Sequence, residues 1–325
     1  MGRGVSNILV IHQGALGDLV LSFPALSALA GKTGSFLDLV CLPQWEKAAL
    51  AVKAARRTIS SEQPLITGLF ADPPDLKSLY FLRSYQRVIL FSFSESLEKA
   101  CATSGVPITR IAPRPGPGVT IHAARHIWEG LTGAGLLPEP PVDFPDSWIP
   151  AGKAGRESAA TGGPVLLHPG AGSPRKRWPL ERFAELAGGL RKMGIGSRYL
   201  IGPAEEGLLR ELAGLGAEPA DIVQSKDMAT LLHHLKNCRA LVGNDSGVSH
   251  LSAFMGIPTL AVFGPSDPLR WRPVGRSVKV LRPGNLTCGP CFESCEKNCD
   301  APKCLADTGV EDVLGVLAGM LAGVI

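Results

Sequence analysis

Short apolar runs, each ending in a polar or glycine-bearing turn and followed by a helix-length stretch, recur along this 325-residue chain in two successive sets. Strand patterns that alternate with helix patterns build a mostly parallel sheet with helices on both faces. The first set opens with Ile8-Leu9-Val10-Ile11 and a helix-like stretch from Asp18 to Ala30. It adds strand candidates at Phe36 to Leu42, Arg87 to Phe93 and Ile108 to Ile111, separated by helix-length stretches such as Gln44 to Arg56 and Ile121 to Leu136. The second set restarts at Val165-Leu166-Leu167-His168 and runs through helices at Leu180 to Met193, Glu205 to Leu215 and Met228 to Cys238, with strands at Arg198 to Ile201 and Val278 to Leu281. Between the sets, Leu137 to Pro164 is rich in Pro, Gly and Ala, which is a linker composition. The reading is two doubly wound α/β domains, residues 1–150 and 151–325, with a ligand expected in a cleft between their strand ends. The closing stretch Val310 to Ile325 is apolar on most sides, a helix that can pack back on the N-terminal domain.

Composition removes several classes. Hydrophobic residues make up 45% of the chain, enough for packed cores and too much for a disordered protein. The net charge of +4 is dispersed, with no basic block of the kind that binds nucleic acid. No run approaches the roughly 20 apolar residues of a membrane span. The N-terminal apolar stretch is interrupted by His12, Gly14 and Asp18, unlike a signal peptide, so a cytoplasmic protein is expected.

Four turns carry candidate chemistry. Leu241 to Pro268 reads as strand, polar turn, helix, strand and Pro-rich loop, which puts Asn244-Asp245-Ser246-Gly247 at a strand end and a helix start. Unpaired N–H groups and the positive end of the macrodipole suit that position to a phosphate, and His250 lies one turn on. Gly247 lets an anion approach, and Ser246 or Asp245 can cap the helix. The alternative is a well-capped helix with a satisfied histidine. The turn His168-Pro169-Gly170-Ala171-Gly172-Ser173-Pro174-Arg175-Lys176-Arg177 brings three adjacent cations to another strand end, able to neutralise a diphosphate or simply to be a solvated basic loop. Gly202-Pro203-Ala204-Glu205-Glu206 offers either a ribose-binding carboxylate or first-turn acids that complement a helix dipole.

The fourth turn, His12 to Asp18, lacks the G-x-G-x-x-G spacing, and Asp38 lies mid-strand, so a nicotinamide enzyme is disfavoured. Asp18 reads either as a helix N-cap, the more common role, or as a general base for an acceptor hydroxyl.

Together these segments resemble glycosyltransferase family 9, the ADP-heptose:lipopolysaccharide heptosyltransferases. The resemblance rests on GALGDLVLSFPAL, HPGAGSPRKRWPLERFAELA, GPAEE and NDSGVSHLSAFMGIPTLAVFGPSDP, and it is weakest between Ala48 and Gly118. It implies the GT-B architecture, two Rossmann-like domains facing a central cleft. It also implies an inverting transfer of heptose from ADP-heptose to a hydroxyl of the lipopolysaccharide inner core, with no cofactor or metal required. By resemblance Asp18, after Gly17, looks like the base, and Lys176 with Arg177 like the cations on the leaving diphosphate, with Ser173 in the same loop. Asn244, Asp245, Ser246, Gly247 and His250 resemble the nucleotide-diphosphate turn, and Glu206, or else Glu205, would hold the ribose. Arg83, Arg87, Arg110 and Arg125 are candidates for acceptor phosphates. The implied partners are a nucleotide sugar, a lipid-linked saccharide and the cytoplasmic face of the inner membrane, met peripherally. A UDP-sugar enzyme and an inactive ADP-sugar-binding member are the alternatives.

Five cysteines, Cys288, Cys291, Cys295, Cys299 and Cys304, fall in a stretch where the resembled family often carries cysteine. Cys288-Gly289-Pro290-Cys291 is half of a zinc site, but the other spacings match no standard second half. A structural loop with reduced thiols ranks first, a disulfide second, and zinc or an iron cluster third. Cys41, Cys101 and Cys238 read as core residues.

Overall fold

A computed structural model of the chain describes residues 7–33, 36–145, 162–284, 288, 290–293 and 303–323. The chain divides into two compact units, Met1–Gly116 with Ala123–Pro145, and Pro117–His122 with Asp146–Ile325. Most of the expected linker lies outside the described residues.

The first unit is built on a five-stranded parallel sheet of β1 (Asn7–His12), β2 (Phe36–Cys41), β3 (Arg57–Ser60), β4 (Arg87–Phe91) and β5 (Ile108–Ile111), in the order β3-β2-β1-β4-β5. β1 sits at the centre because Leu9 and Val10 are fully buried and have apolar neighbours on both sides. The helix Leu16–Thr33 follows it and packs against the helix Ala123–Gly133. Asp38 is buried in β2, where its carboxylate accepts hydrogen bonds from Arg56, Arg57 and the Tyr85 hydroxyl. That network explains a mid-strand acid without a ligand. Burial, with the Asp38 bond adding to it, pushes the Tyr85 phenol up to about 12, so it stays a donor.

The second unit holds six parallel strands, β6 (Val165–His168), β7 (Ser197–Ile201), β8 (Ile222–Gln224), β9 (Ala240–Asn244), β10 (Thr259–Val262) and β11 (Val278–Leu281), ordered β11-β10-β9-β6-β7-β8. The chain starts at the centre with β6, builds outward to β8, and returns to the other side of β6 with β9. The carboxyl ends of β6 and β9 therefore flank a topological switch point, where open α/β sheets bind ligands.

The core of this unit gathers Trp178 and the apolar face of the helix Leu180–Lys192. The described part of the closing helix, Val310–Leu321, packs on Leu180–Lys192 in the second unit, with Leu314 directly over Gly189 and Val313 and Leu317 fully buried. Trp178 ties the two regions by donating its indole N–H to the Thr308 carbonyl at 3.1 Å.

Candidate functional site

The two loops at the switch point are bolted together by one amide. Asn244, the last residue of β9 and fully buried, accepts from the Trp178 backbone N–H at 2.9 Å and donates to the carbonyls of Pro169 at 2.9 Å and Gly170 at 3.3 Å. Every hydrogen-bonding atom of its side chain is thus engaged with protein, and the turn after β6 is held in register with the turn after β9. Ser246 caps the helix Gly247–Phe254, its hydroxyl accepting from the Ser249 N–H at 3.3 Å, while Ser249 donates to the Asn244 carbonyl at 2.7 Å. The cap is Ser246, which leaves the neighbouring Asp245 carboxylate for other work.

Asp245 is buried, and its Oδ2 lies 2.7 Å from Lys176 Nζ. His250 Nε2 stands 3.7 Å from Oδ1. Burial alone would raise the Asp245 carboxyl, but neighbouring His250 and the Lys176 charge outweigh it and hold the group down at about 2. Asp245 is therefore ionised at every physiological pH, and its stabilising contribution is lost only as pH falls from about 4 toward 2. Of the three consecutive cations Arg175, Lys176 and Arg177, Lys176 pairs with this carboxylate, while Arg175 lies over the Phe292 ring and Arg177 acts on His168. Three buried nitrogens here, His168 Nδ1, Arg177 Nε and His250 Nδ1, have no hydrogen-bond partner among the described residues. Such atoms are costly to bury unless something else satisfies them.

The other predicted residues divide. Ser173 caps the short turn Pro174–Lys176, its hydroxyl accepting from the Arg175 N–H. Of the two acids after β7, Glu206, the one the resemblance ranks first for the ribose, is exposed, whereas Glu205 is buried. The Glu205 carboxylate accepts from the Gly202 N–H at 3.1 Å and lies against Gly170, where a methyl group would overlap it. Gly170 is thus a glycine because that carboxylate occupies the place of a side chain.

In the first unit Asp18 is the third residue of the helix Leu16–Thr33, so it is a first-turn acid and not the N-cap, and Gly17 precedes it within the helix. It is half-buried. His12 sits beside it: the Gly14 N–H donates to His12 Nδ1 at 3.2 Å, and a methyl group on Gly14 would stand 2.7 Å from the ring and 3.3 Å from Asp18 Cβ. Nε2 of His12 is buried with no hydrogen-bond partner among the described residues. Sequence reasoning assigned no role to this histidine, whose only signal is its place at the end of an apolar run. The four arginines expected to meet acceptor phosphates all make bonds inside the first unit: Arg83 to the Ser104 carbonyl, Arg87 to Thr109, Arg110 to Glu98 and Arg125 to Glu129.

Cys304 is buried in the core of the second unit, and Cys288 and Cys291 are half-buried. Cys295 and Cys299 lie outside the described residues. Among the described residues no group of three or more His, Cys, Asp or Glu side chains could hold a metal ion. Burial pushes the Cys41 and Cys101 thiols up to about 12, as expected of core residues.

Burial also sets the pH behaviour of the fold. It lowers His12 and His168 to about 4 and His122 to about 3, with nearby Arg177 adding to the effect at His168. Each folded value lies below the unfolded one, so the unfolded chain binds more protons. The stability is complete above about pH 6.5 and is lost as pH falls toward 4, at about 1.4 kcal/mol per pH unit per histidine. Urea midpoints are therefore expected to fall between pH 7 and 5. A flat profile over that range would refute the burial of these rings.

The chain from residue 137 to residue 301 matches the family described as glycosyltransferase family 9 (heptosyltransferase). Among curated relatives, the lipopolysaccharide heptosyltransferase 1 of Pseudomonas aeruginosa is 35% identical over 132 residues, which is 40% of this chain and 36% of that protein. The match thus spans about a third of the relative's length. Among solved structures, the E. coli ADP-heptose lps heptosyltransferase II has a TM-score of 0.72 at 20% identity, covering 98% of this chain and 99% of that one. The E. coli heptosyltransferase WaaC solved with ADP has a TM-score of 0.68 at 18% identity, covering 97% and 99%. The two-domain GT-B architecture of these proteins is the fold of this chain.

Proposed function

The chain belongs to glycosyltransferase family 9, and from that premise we propose that it is an inverting enzyme that transfers a heptose from ADP-heptose to a hydroxyl of the lipopolysaccharide inner core. The observation that carries the reading is the ion pair between half-buried Lys176 and buried Asp245, at the start of the helix Gly247–Phe254 and at the switch point of the sheet. A lysine held at the positive end of a helix suits a diphosphate leaving group.

In the proposed reaction the Asp18 carboxylate takes the proton of the acceptor hydroxyl. That oxygen attacks the anomeric carbon in line, the bond from this carbon to the phosphate oxygen breaks, and the electron pair leaves with ADP. Lys176, Arg175 and Arg177 offset the charge that develops on the diphosphate, so the proposed mechanism calls for no metal. Asp245 orients Lys176, Asn244 and Ser246 hold the turn, and the buried position of Glu205 favours it over Glu206 for the ribose. Binding energy is thereby concentrated where charge appears in the transition state.

The acceptor is lipid-linked in this reading, and the protein meets the cytoplasmic face of the inner membrane peripherally through basic and apolar residues of the N-terminal unit. Among the described residues no helix is long and apolar enough to cross a membrane. The donor base is tested by melting shifts. ADP at a concentration 100 times its Kd is expected to stabilise the protein by about 2.7 kcal/mol, and UDP at the same concentration by much less. A larger shift with UDP than with ADP would move the reading to a UDP-sugar enzyme.

A further inference from the structure

We infer that Phe292 is a positioning residue for the Lys176 ammonium, an inference that rests on reading the switch-point turn as the diphosphate site. Lys176 Nζ lies over the Phe292 ring, 4.1 Å from its centroid, while the same nitrogen is 2.7 Å from Asp245 Oδ2. The ammonium is therefore held by two different forces. The carboxylate attracts its charge, and the negative face of the ring does the same while keeping water off that side. The Arg175 guanidinium also stands over the ring, at 5.6 Å, so the aromatic face serves two of the three cations in the turn.

The ring is itself fixed on both sides along the chain. The N–H groups of Cys291 and Phe292 both donate to the Pro265 carbonyl, at 2.9 and 3.0 Å, in the loop that follows β10. Glu293 accepts from the Trp271 indole at 2.7 Å and pairs with Arg270 at 3.1 Å. Four bonds thus hold three consecutive residues, two of which carry half-buried side chains, against the strand-end loops. A segment serving only to cover the loop would not need its one aromatic ring centred on the cation that faces the phosphates. With the ring in place the lysine keeps its position in the absence of ligand, so less ordering remains to be done when a diphosphate binds.

Graded fluorination of Phe292 in the full-length protein tests this, because each fluorine weakens the ring's negative face with little change in shape. ADP affinity, measured by calorimetry, is expected to fall stepwise, reaching about 5-fold to 10-fold with three fluorines. The donor KM should rise in step while the acceptor KM stays constant. Phe292→Tyr should keep wild-type affinity, Phe292→Leu should match the trifluorinated ring, and in a Lys176→Met background the series should be flat. A ligand-free readout separates this inference from the functional reading. After reductive 13C-methylation of lysines, the Lys176 methyl resonance, assigned with Lys176→Arg, should be shifted upfield in the wild type and in Phe292→Tyr but not in Phe292→Leu. An unshifted resonance in the wild type, or constant ADP affinity across the fluorinated series, would overturn the role of Phe292. A shifted resonance in a protein that does not bind ADP would support the ring's hold on Lys176 and sink the ADP-sugar reading instead.

Discussion

Asp18→Asn is expected to lower kcat by about 10²-fold to 10⁴-fold, the range a positioned general base contributes, while ADP affinity and melting temperature stay close to wild type. The substitution preserves size and shape and removes the negative charge, and with it the ability to take a proton. Asp18 lies in the first turn of the helix Leu16–Thr33, where its charge also complements the macrodipole. Losing that complement at this half-buried position costs up to about 2 kcal/mol, too little to unfold the first unit. The ADP cradle is assigned to the second unit, so nucleotide binding should be untouched, and the unchanged melting temperature is the control that the first unit is folded. Full turnover by the asparagine variant would remove Asp18 from the mechanism.

Lys176→Met should have a comparably large effect for a different reason. The lysine neutralises a buried carboxylate, and removing one partner of such a pair costs about 3–5 kcal/mol because the other is left charged and poorly solvated. The loss of electrostatic stabilisation for the departing diphosphate adds a drop in kcat of about 10²-fold to 10³-fold. Without Lys176 the Asp245 carboxyl, now held at about 2 against the pull of burial, should titrate at a higher pH, so acid unfolding should begin earlier. The double variant Lys176→Met with Asp245→Asn should recover most of the stability in urea but none of the turnover. Recovery of turnover in the double variant would mean that Lys176 acts only to neutralise Asp245.

The centre of each sheet was legible because its strands are continuous apolar runs. All four edge strands are short, but β5 and β11 keep apolar residues at both ends of four, whereas β3 has one apolar residue in Arg57–Ser60 and β8 only three residues in all, and these two were missed. Edge strands are kept short and polar to discourage pairing with other chains, which erases the pattern that would reveal them. The helix expected from Gln44 to Arg56 is confined to Glu46–Ala51, and Lys53, at φ 56, shows why: the backbone turns left-handed just past it. At the candidate site, the turns after β6, β7 and β9 were readable because glycine and polar residues at a strand end act on backbone within a few positions. The roles of Asn244 as a clamp and Phe292 as a platform were not readable. Their partners, Trp178 and Lys176, are distant in sequence and meet them only when β6, β9 and β10 are laid side by side.

The most direct test of the account is a product analysis with ADP-heptose and a panel of truncated inner-core saccharides. One acceptor is expected to gain a single heptose, with ADP appearing in equal amount and the new linkage having the anomeric configuration opposite to that of the donor. A new linkage of retained configuration, or ADP-heptose left intact with every acceptor while a UDP-sugar is consumed, would contradict it.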